Sequence, residues 1–78
     1  MSKEMPKIGD VLENGGTVLQ SKPFSSHEGD WYLGVVLALF GGQFVTWIYN
    51  LDRAGAVEGH YYMDLGAALK DFNERGGY

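Results

Sequence analysis

The sequence predicts an α+β fold in which one C-terminal helix covers one face of an antiparallel sheet of about four strands. Two long runs of β-branched and aromatic residues flank the Gly41-Gly42 pair, and glycine-rich turns separate the other apolar runs. An apolar stripe at helical spacing follows near the end of the chain. With 78 residues, the chain has the length of one small domain. We expect that domain over residues 8–78, after a flexible tail over residues 1–7.

The stretch over residues 31–50 is the predicted central hairpin of a meander. A Gly-Gly pair between two such runs predicts a two-residue turn, because both positions can adopt positive φ. The residues on either side of the two glycines then pair directly. Alternation places an aliphatic set on one face, which we expect to be the core face, and places Trp47 and Tyr49 on the other. Tyr49 lies opposite Gly34 in this register, and we expect its ring to cover that glycine.

The outer strands and the helix follow from local patterns. Residues 17–22 and 57–63 are the predicted outer strands, and strict alternation in the second puts Val57 on the face opposite His60. Asp64 is the predicted N-cap of a helix over about residues 64–75. The helix presents one apolar stripe, formed by Leu65, Ala68, Leu69 and Phe72. We expect the stripe to pack on the aliphatic face of the hairpin.

The composition narrows the classes of function. The net charge is −4, which argues against binding to a nucleic-acid backbone through general electrostatics. The chain has no cysteine and begins with a polar segment unlike a signal peptide. Its longest apolar run is too short to span a bilayer as a helix. We expect a soluble, cytoplasmic protein that does not enter a membrane.

The residues that can carry chemistry form no catalytic or metal-binding motif. His27, beside Glu28, and His60 lie in different predicted elements, without partners at metal-ligand spacing. Glu58 and His60 share one face of the last strand, either as an acid–base pair or as an ordinary surface pair. No nucleophile motif or phosphate-binding loop accompanies them. We therefore expect no enzymatic activity, no cofactor and no metal.

Aromatic side chains and one histidine are the candidate partner-binding residues, since Tyr and Trp are enriched at binding hot spots. The set comprises Trp31, Tyr32, Trp47, Tyr49, His60 and Tyr62. Few basic residues accompany these rings, so a protein is a better expected partner than nucleic acid. Two alternatives stay open. Trp47 and Tyr49 can instead complete a second small core, and an unpaired edge strand can pair with a partner or with a second copy of the chain.

Three segments also carry a resemblance to known proteins. They are Phe44-Val-Thr-Trp47, Gly59-His-Tyr-Tyr62 and the stretch from Ala67 to Arg75. They resemble a family of short uncharacterised bacterial, plasmid- and phage-borne proteins with the pattern FVTW…GHYF…A…DF..R. Position 62 is tyrosine where that pattern has phenylalanine.

The resemblance spans about residues 9–75 and implies a mobile-element setting. Small acidic proteins in that setting are often inhibitors of host defence, or regulators that bind one protein. The expected function is therefore non-enzymatic binding of a host protein. A small nucleic-acid-binding regulator and a domain that homodimerises through an edge strand are the alternatives.

Overall fold

The computed structural model describes residues 5–23, 33–51 and 55–75, and this part of the chain forms four strands and one helix. The elements are β1 (Thr17–Pro23), β2 (Leu33–Phe40), β3 (Gln43–Asn50), β4 (Gly55–Tyr62) and α1 (Leu65–Glu74). The strands form one antiparallel sheet in the order β1-β2-β3-β4, and α1 packs on β2, β3 and β4. The predicted α+β meander is confirmed.

The central hairpin has the predicted register. Gly41 and Gly42 have φ values of 58° and 82°, as a two-residue turn of this kind requires. Phe40 pairs with Gln43, and the pairing continues in register to the far end of both strands. The predicted strand residues 31 and 32 lie outside the described residues.

The helix begins and ends close to its predicted bounds. Asp64 is its N-cap, and the Asp64 carboxylate accepts a hydrogen bond of 2.9 Å from the backbone N–H of Ala67. A helix of ten residues is not stable alone, so packing must stabilise it. It buries Ala68 and Phe72 against Val35 and Leu37, which we call the helix-side core. Among the described residues, no helix is both long and apolar enough to cross a membrane.

The opposite face of the sheet holds a second core built around Trp47. This Trp-side core consists of the buried residues Val18, Val36, Ala38, Val45 and Trp47. The Phe40 ring meets the Trp47 ring edge-on, with 5.5 Å between centroids. A Cβ atom on Gly16 would lie 2.8 Å from Trp47 Cζ3, and one on Gly59 would lie 2.7 Å from Trp47 Nε1. The indole therefore packs against the bare backbone of two glycines.

A segment that precedes β1, the N-terminal arm (residues 5–16), packs beside this second core. Residues 5–7 were expected to be part of a flexible tail, but Pro6 is buried and its carbonyl accepts a 2.6 Å hydrogen bond from Ser21 Oγ. Met5 packs against the Trp-side core, and its side chain lies against Gly34. The expectation that Tyr49 covers Gly34 is therefore wrong, because Met5 occupies that space.

The arm is also bonded to β1 through its backbone. Gly9 N–H donates to the Val18 carbonyl, and Val18 N–H donates to the Asp10 carbonyl, both at 2.8 Å. Leu12 N–H donates to the Gly16 carbonyl at 2.8 Å, which closes the turn before the strand. The first part of the outer edge of β1 is thus already paired.

β4 departs from the predicted alternation at a bulge. Glu58 and Gly59 both lie opposite the single β3 residue Trp47, and the non-glycine Glu58 has a φ of 54°. The extra residue shifts the strand by one position. Val57 therefore lies on the helix side of the sheet together with His60, and the prediction that they occupy opposite faces is wrong.

We expect Gly59→Ala to lower the free energy of unfolding by about 1–3 kcal/mol, because the new methyl group would overlap the Trp47 ring. Urea unfolding followed by tryptophan fluorescence measures this. Gly66→Ala is the matched control, since its Cβ would meet only the exposed Asp64 side chain at 3.0 Å. Equal losses in the two variants would contradict the close packing of the indole on Gly59.

Candidate functional site

A polar cluster joins α1 to the helix side of the sheet. It consists of Thr46 on β3, His60 on β4, and Asp71 and Arg75 on α1. Thr46 and His60 are cross-strand neighbours. Asp71 and Arg75 are four residues apart, so they project from the same face of the helix. The fold thus brings together side chains from three elements.

Thr46 is the buried centre of this cluster. Its side chain is fully buried, and Thr46 Oγ1 donates a 2.6 Å hydrogen bond to Asp71 Oδ2. Arg75 Nη1 donates to the Thr46 carbonyl at 2.9 Å and to Thr46 Oγ1 at 3.1 Å. Every buried side-chain nitrogen and oxygen of the described residues has a hydrogen-bond partner. The cluster therefore fixes the position of the helix on the sheet without leaving a polar group unpaired.

His60 forms the exposed margin of the cluster. Its Nδ1 atom lies 2.9 Å from Asp71 Oδ2, while 49% of its side chain is accessible to solvent. An imidazole oriented by a carboxylate is the arrangement of a general base. The Thr46 hydroxyl donates to Asp71 and not to the imidazole, and the Tyr62 hydroxyl is also hydrogen-bonded to Asp71. Within the cluster, His60 therefore has no nucleophile to activate.

The pKa values of one carboxyl group and one phenol at the cluster are shifted, those of its member Asp71 and its neighbour Tyr62. Burial raises the pKa of Asp71, but hydrogen bonds from Thr46 and His60, with the charge of Arg75, outweigh it and hold the pKa below its ordinary value. The Tyr62 phenol has a raised pKa, first because of burial and then because of the charge of Asp71 and a hydrogen bond to it. At neutral pH the cluster therefore contains an ionised Asp71, and the neighbouring Tyr62 is neutral.

The Glu58–His60 pair considered from the sequence does not form. His60 pairs with Asp71, whereas Glu58 Oε1 lies 3.7 Å from Arg75 Nη2. The Glu58 carboxylate is largely exposed, so this second contact is weak. The sequence shows that Asp71 and Arg75 are four residues apart and share one face of the helix. It does not show which strand that face contacts. In the described residues, no group of three or more His, Asp or Glu side chains is arranged to hold a metal ion.

The candidate partner-binding residues are distributed over both faces of the sheet. Trp47 is 4% exposed and belongs to the Trp-side core. Tyr49 is half-buried on the same side, where it lines an open groove beside the N-terminal arm. His60 is exposed and Tyr62 half-buried on the helix side. The other candidates, Trp31 and Tyr32, lie outside the described residues, as do His27 and Glu28 of the sequence analysis.

A surface that the sequence analysis did not single out follows the outer edge of the sheet. Exposed apolar side chains occur on β4, in the turn after it and at the first residue of α1, namely Val57, Tyr61, Met63 and Leu65. Because of the bulge, Val57 lies on the helix side of the sheet and Tyr61 on the Trp side. We call this set the β4 edge surface. It includes four of the seven large exposed hydrophobic side chains of the described residues. Apolar residues at alternate positions of a predicted edge strand were the available sign of it.

A scan against protein-family models, a search of curated proteins and a search of solved structures find no match to this chain.

We expect Asp71→Asn to lower the free energy of unfolding at neutral pH by about 1–3 kcal/mol, because Thr46 and His60 lose an ionised acceptor. The folded-state pKa of Asp71 lies below its unfolded value. Its stabilising contribution is therefore complete above about pH 4 and is lost as the pH falls through the folded-state pKa. Urea unfolding at several pH values measures both effects, and the variant should lose less stability in acid than the parent.

The control for this prediction is Glu74→Gln, which removes an exposed carboxylate from the same helix. It should change stability by less than about 0.5 kcal/mol. An Asp71→Asn protein with unchanged stability at neutral pH would show that the cluster does not hold the helix in place.

Proposed function

We propose that this protein is a non-enzymatic module that binds another protein along the β4 edge surface. The observation that carries the proposal is the set of exposed apolar side chains on the outer strand β4 and directly after it. Tyr61 is 52% exposed and Met63 73% exposed. Single exposed apolar residues are common, but an apolar set along one edge is typical of an interaction surface.

The backbone of β4 supports the same proposal. Within the described residues the sheet ends at β4, so nothing there pairs with its outer side. In a two-residue hairpin, the residues that flank the turn, Phe40 and Gln43, form a hydrogen-bonded pair, and such pairs alternate with non-hydrogen-bonded pairs along the strands. Continued across β3 to β4, this alternation makes Val45 and Tyr61 a non-hydrogen-bonded pair. The N–H and C=O of Tyr61 therefore face outward, away from β3. An extended segment of a partner can add to such an edge as a further strand.

The bulge limits how far that pairing can extend. A bulge and a charged residue are two devices by which proteins discourage edge-to-edge association, and Glu58 supplies both. Regular pairing is therefore confined to the residues after the bulge, from His60 to Tyr62. A short contact of this kind needs side chains for its affinity, and Tyr61 and Met63 are placed to provide them.

The other edge of the sheet is less suited to a partner. The N-terminal arm already bonds to Val18 on β1, and Pro6 accepts a hydrogen bond from Ser21. Farther along the strand, Lys22 Nζ donates to the Asn73 carbonyl at the end of α1. This edge is thus engaged by the protein's own chain.

The sequence resemblance gives the proposal a concrete form, an inhibitor or regulator that acts on a host protein. The basic side chains of the described residues do not favour the nucleic-acid alternative. Arg75 is used within the polar cluster, and Lys22 lies over the Phe72 ring, 5.0 Å from its centroid. Lys7 and Lys70 are on separate segments, the arm and the helix. They do not line a shared path for a phosphate backbone.

We expect the double variant Tyr61→Lys/Met63→Lys to reduce partner capture at least about tenfold, because two exposed apolar contacts become charged. The measurement is quantitative mass spectrometry of proteins captured by the tagged chain from lysate of the cell that carries it. Ile8→Lys, which changes an equally exposed apolar residue on the arm, is the matched control and should keep the partner.

Circular dichroism and thermal unfolding establish that both variants fold. Equal capture by the double variant and the parent would contradict the proposal. Light scattering after size exclusion tests whether the partner is a second copy, since a homodimer that the double variant disrupts would assign the β4 edge surface to self-association.

A further inference from the structure

A groove beside the N-terminal arm contains side chains that neither the polar cluster nor the β4 edge surface uses. It has a volume of about 630 Å³ and extends along the arm to Tyr49. A smaller hollow of about 240 Å³ adjoins it, shares Leu12, Glu13 and Tyr49 with it, and reaches Ala56 at the start of β4. The larger volume lies in the range of ligand-binding clefts.

The groove is lined by both apolar and acidic side chains. Met5, Val11 and Leu12 provide apolar surface, and Val11 is largely exposed. Two carboxylates, those of Asp10 and Glu13, line the same groove. Apolar walls close to carboxylates suit a ligand with an aliphatic stem and a cationic head.

Within the described part of the chain, the negative charge of the groove is only partly neutralised by neighbouring side chains. One oxygen of the Asp10 carboxylate accepts a 2.9 Å hydrogen bond from the backbone N–H of Lys7. Asp10 is nevertheless exposed to solvent. Among the described residues no basic side chain forms an ion pair with Asp10 or Glu13. Lys7, the one described basic residue that lines the groove, offsets only part of its charge.

Tyr49 adds an aromatic surface under this negative potential. Burial raises the pKa of the Tyr49 phenol, and the charge of Glu13 raises it further. The phenol therefore stays neutral at neutral pH, and the part of the half-buried ring that lines the groove can contact a cation. A guanidinium is planar, stacks on aromatic rings and bonds carboxylates through two parallel donors.

We propose that this groove binds an arginine side chain from an extended segment of another protein. The aliphatic stem lies on the apolar wall, and the guanidinium reaches the Glu13 carboxylate beside the Tyr49 ring. Charge complementarity and the apolar wall select this occupant over an acidic or a purely apolar segment. The inference does not rest on the proposed function, since the groove binds its ligand without the β4 edge surface.

The test is an NMR titration of the full, ¹⁵N-labelled chain with acetyl-Ala-Arg-Ala-amide. The matched ligand is the same peptide with citrulline, which keeps the shape of arginine and removes its charge. We expect saturable shifts of arm and Tyr49 amides, with binding of the citrulline peptide at least about tenfold weaker. Added salt should weaken the binding of the arginine peptide, because the carboxylates are exposed and salt screens their charge.

Variants assign the site. Glu13→Gln should weaken binding of the arginine peptide about two- to fivefold, whereas Glu74→Gln, which changes an exposed carboxylate on α1, should leave it unchanged. Both positions are exposed, so both variants should fold. Equal affinity for the two peptides, unchanged affinity in Glu13→Gln, or no saturable shift up to the solubility limit would each overturn the proposal.

Discussion

The Gly41-Gly42 turn sets the register on which the two faces of the sheet depend. Because side chains alternate, this register places Thr46 under the helix and Trp47 on the opposite face. A slip of one residue would bury the indole under the helix and leave the threonine without Asp71. The polar cluster and the Trp-side core therefore both depend on the register that this one turn sets.

This single sheet buries apolar residues on both of its faces. The helix covers one face with a full secondary-structure element, whereas in the described part of the chain the other face has an irregular segment, the N-terminal arm, packed beside it. Such a segment is too thin to enclose a large ring by itself, so the indole lies directly on the backbone at Gly16 and Gly59. The arm gains its order from backbone bonds to β1 and from the burial of Pro6.

Local patterns predicted the elements but not the contacts between distant ones. The hairpin register and the Asp64 cap depend on neighbours in sequence, and both are confirmed. The link between His60 and Asp71 joins a strand to a helix, and no spacing in the sequence specifies how the helix lies across the sheet. The sequence analysis did not predict the bulge because alternation runs unbroken through residues 57–63, although an isolated glycine inside a strand, here Gly59, is a common sign of one. Alternation also assigned Trp47 to a face without saying what would cover it.

The bulge at Glu58 has a consequence for how this surface can change in evolution. Val57 before the bulge and His60 after it keep regular cross-strand partners, so the bulge adds one residue to the strand without disturbing the pairing beyond it. The Glu58 side chain is largely exposed and takes part in neither core. The φ of 54° at Glu58 favours residues that tolerate a left-handed backbone, chiefly glycine, asparagine and aspartate. Sequence drift at this position can therefore alter the charge of the sheet margin without changing the interior, but only within a small set of residues.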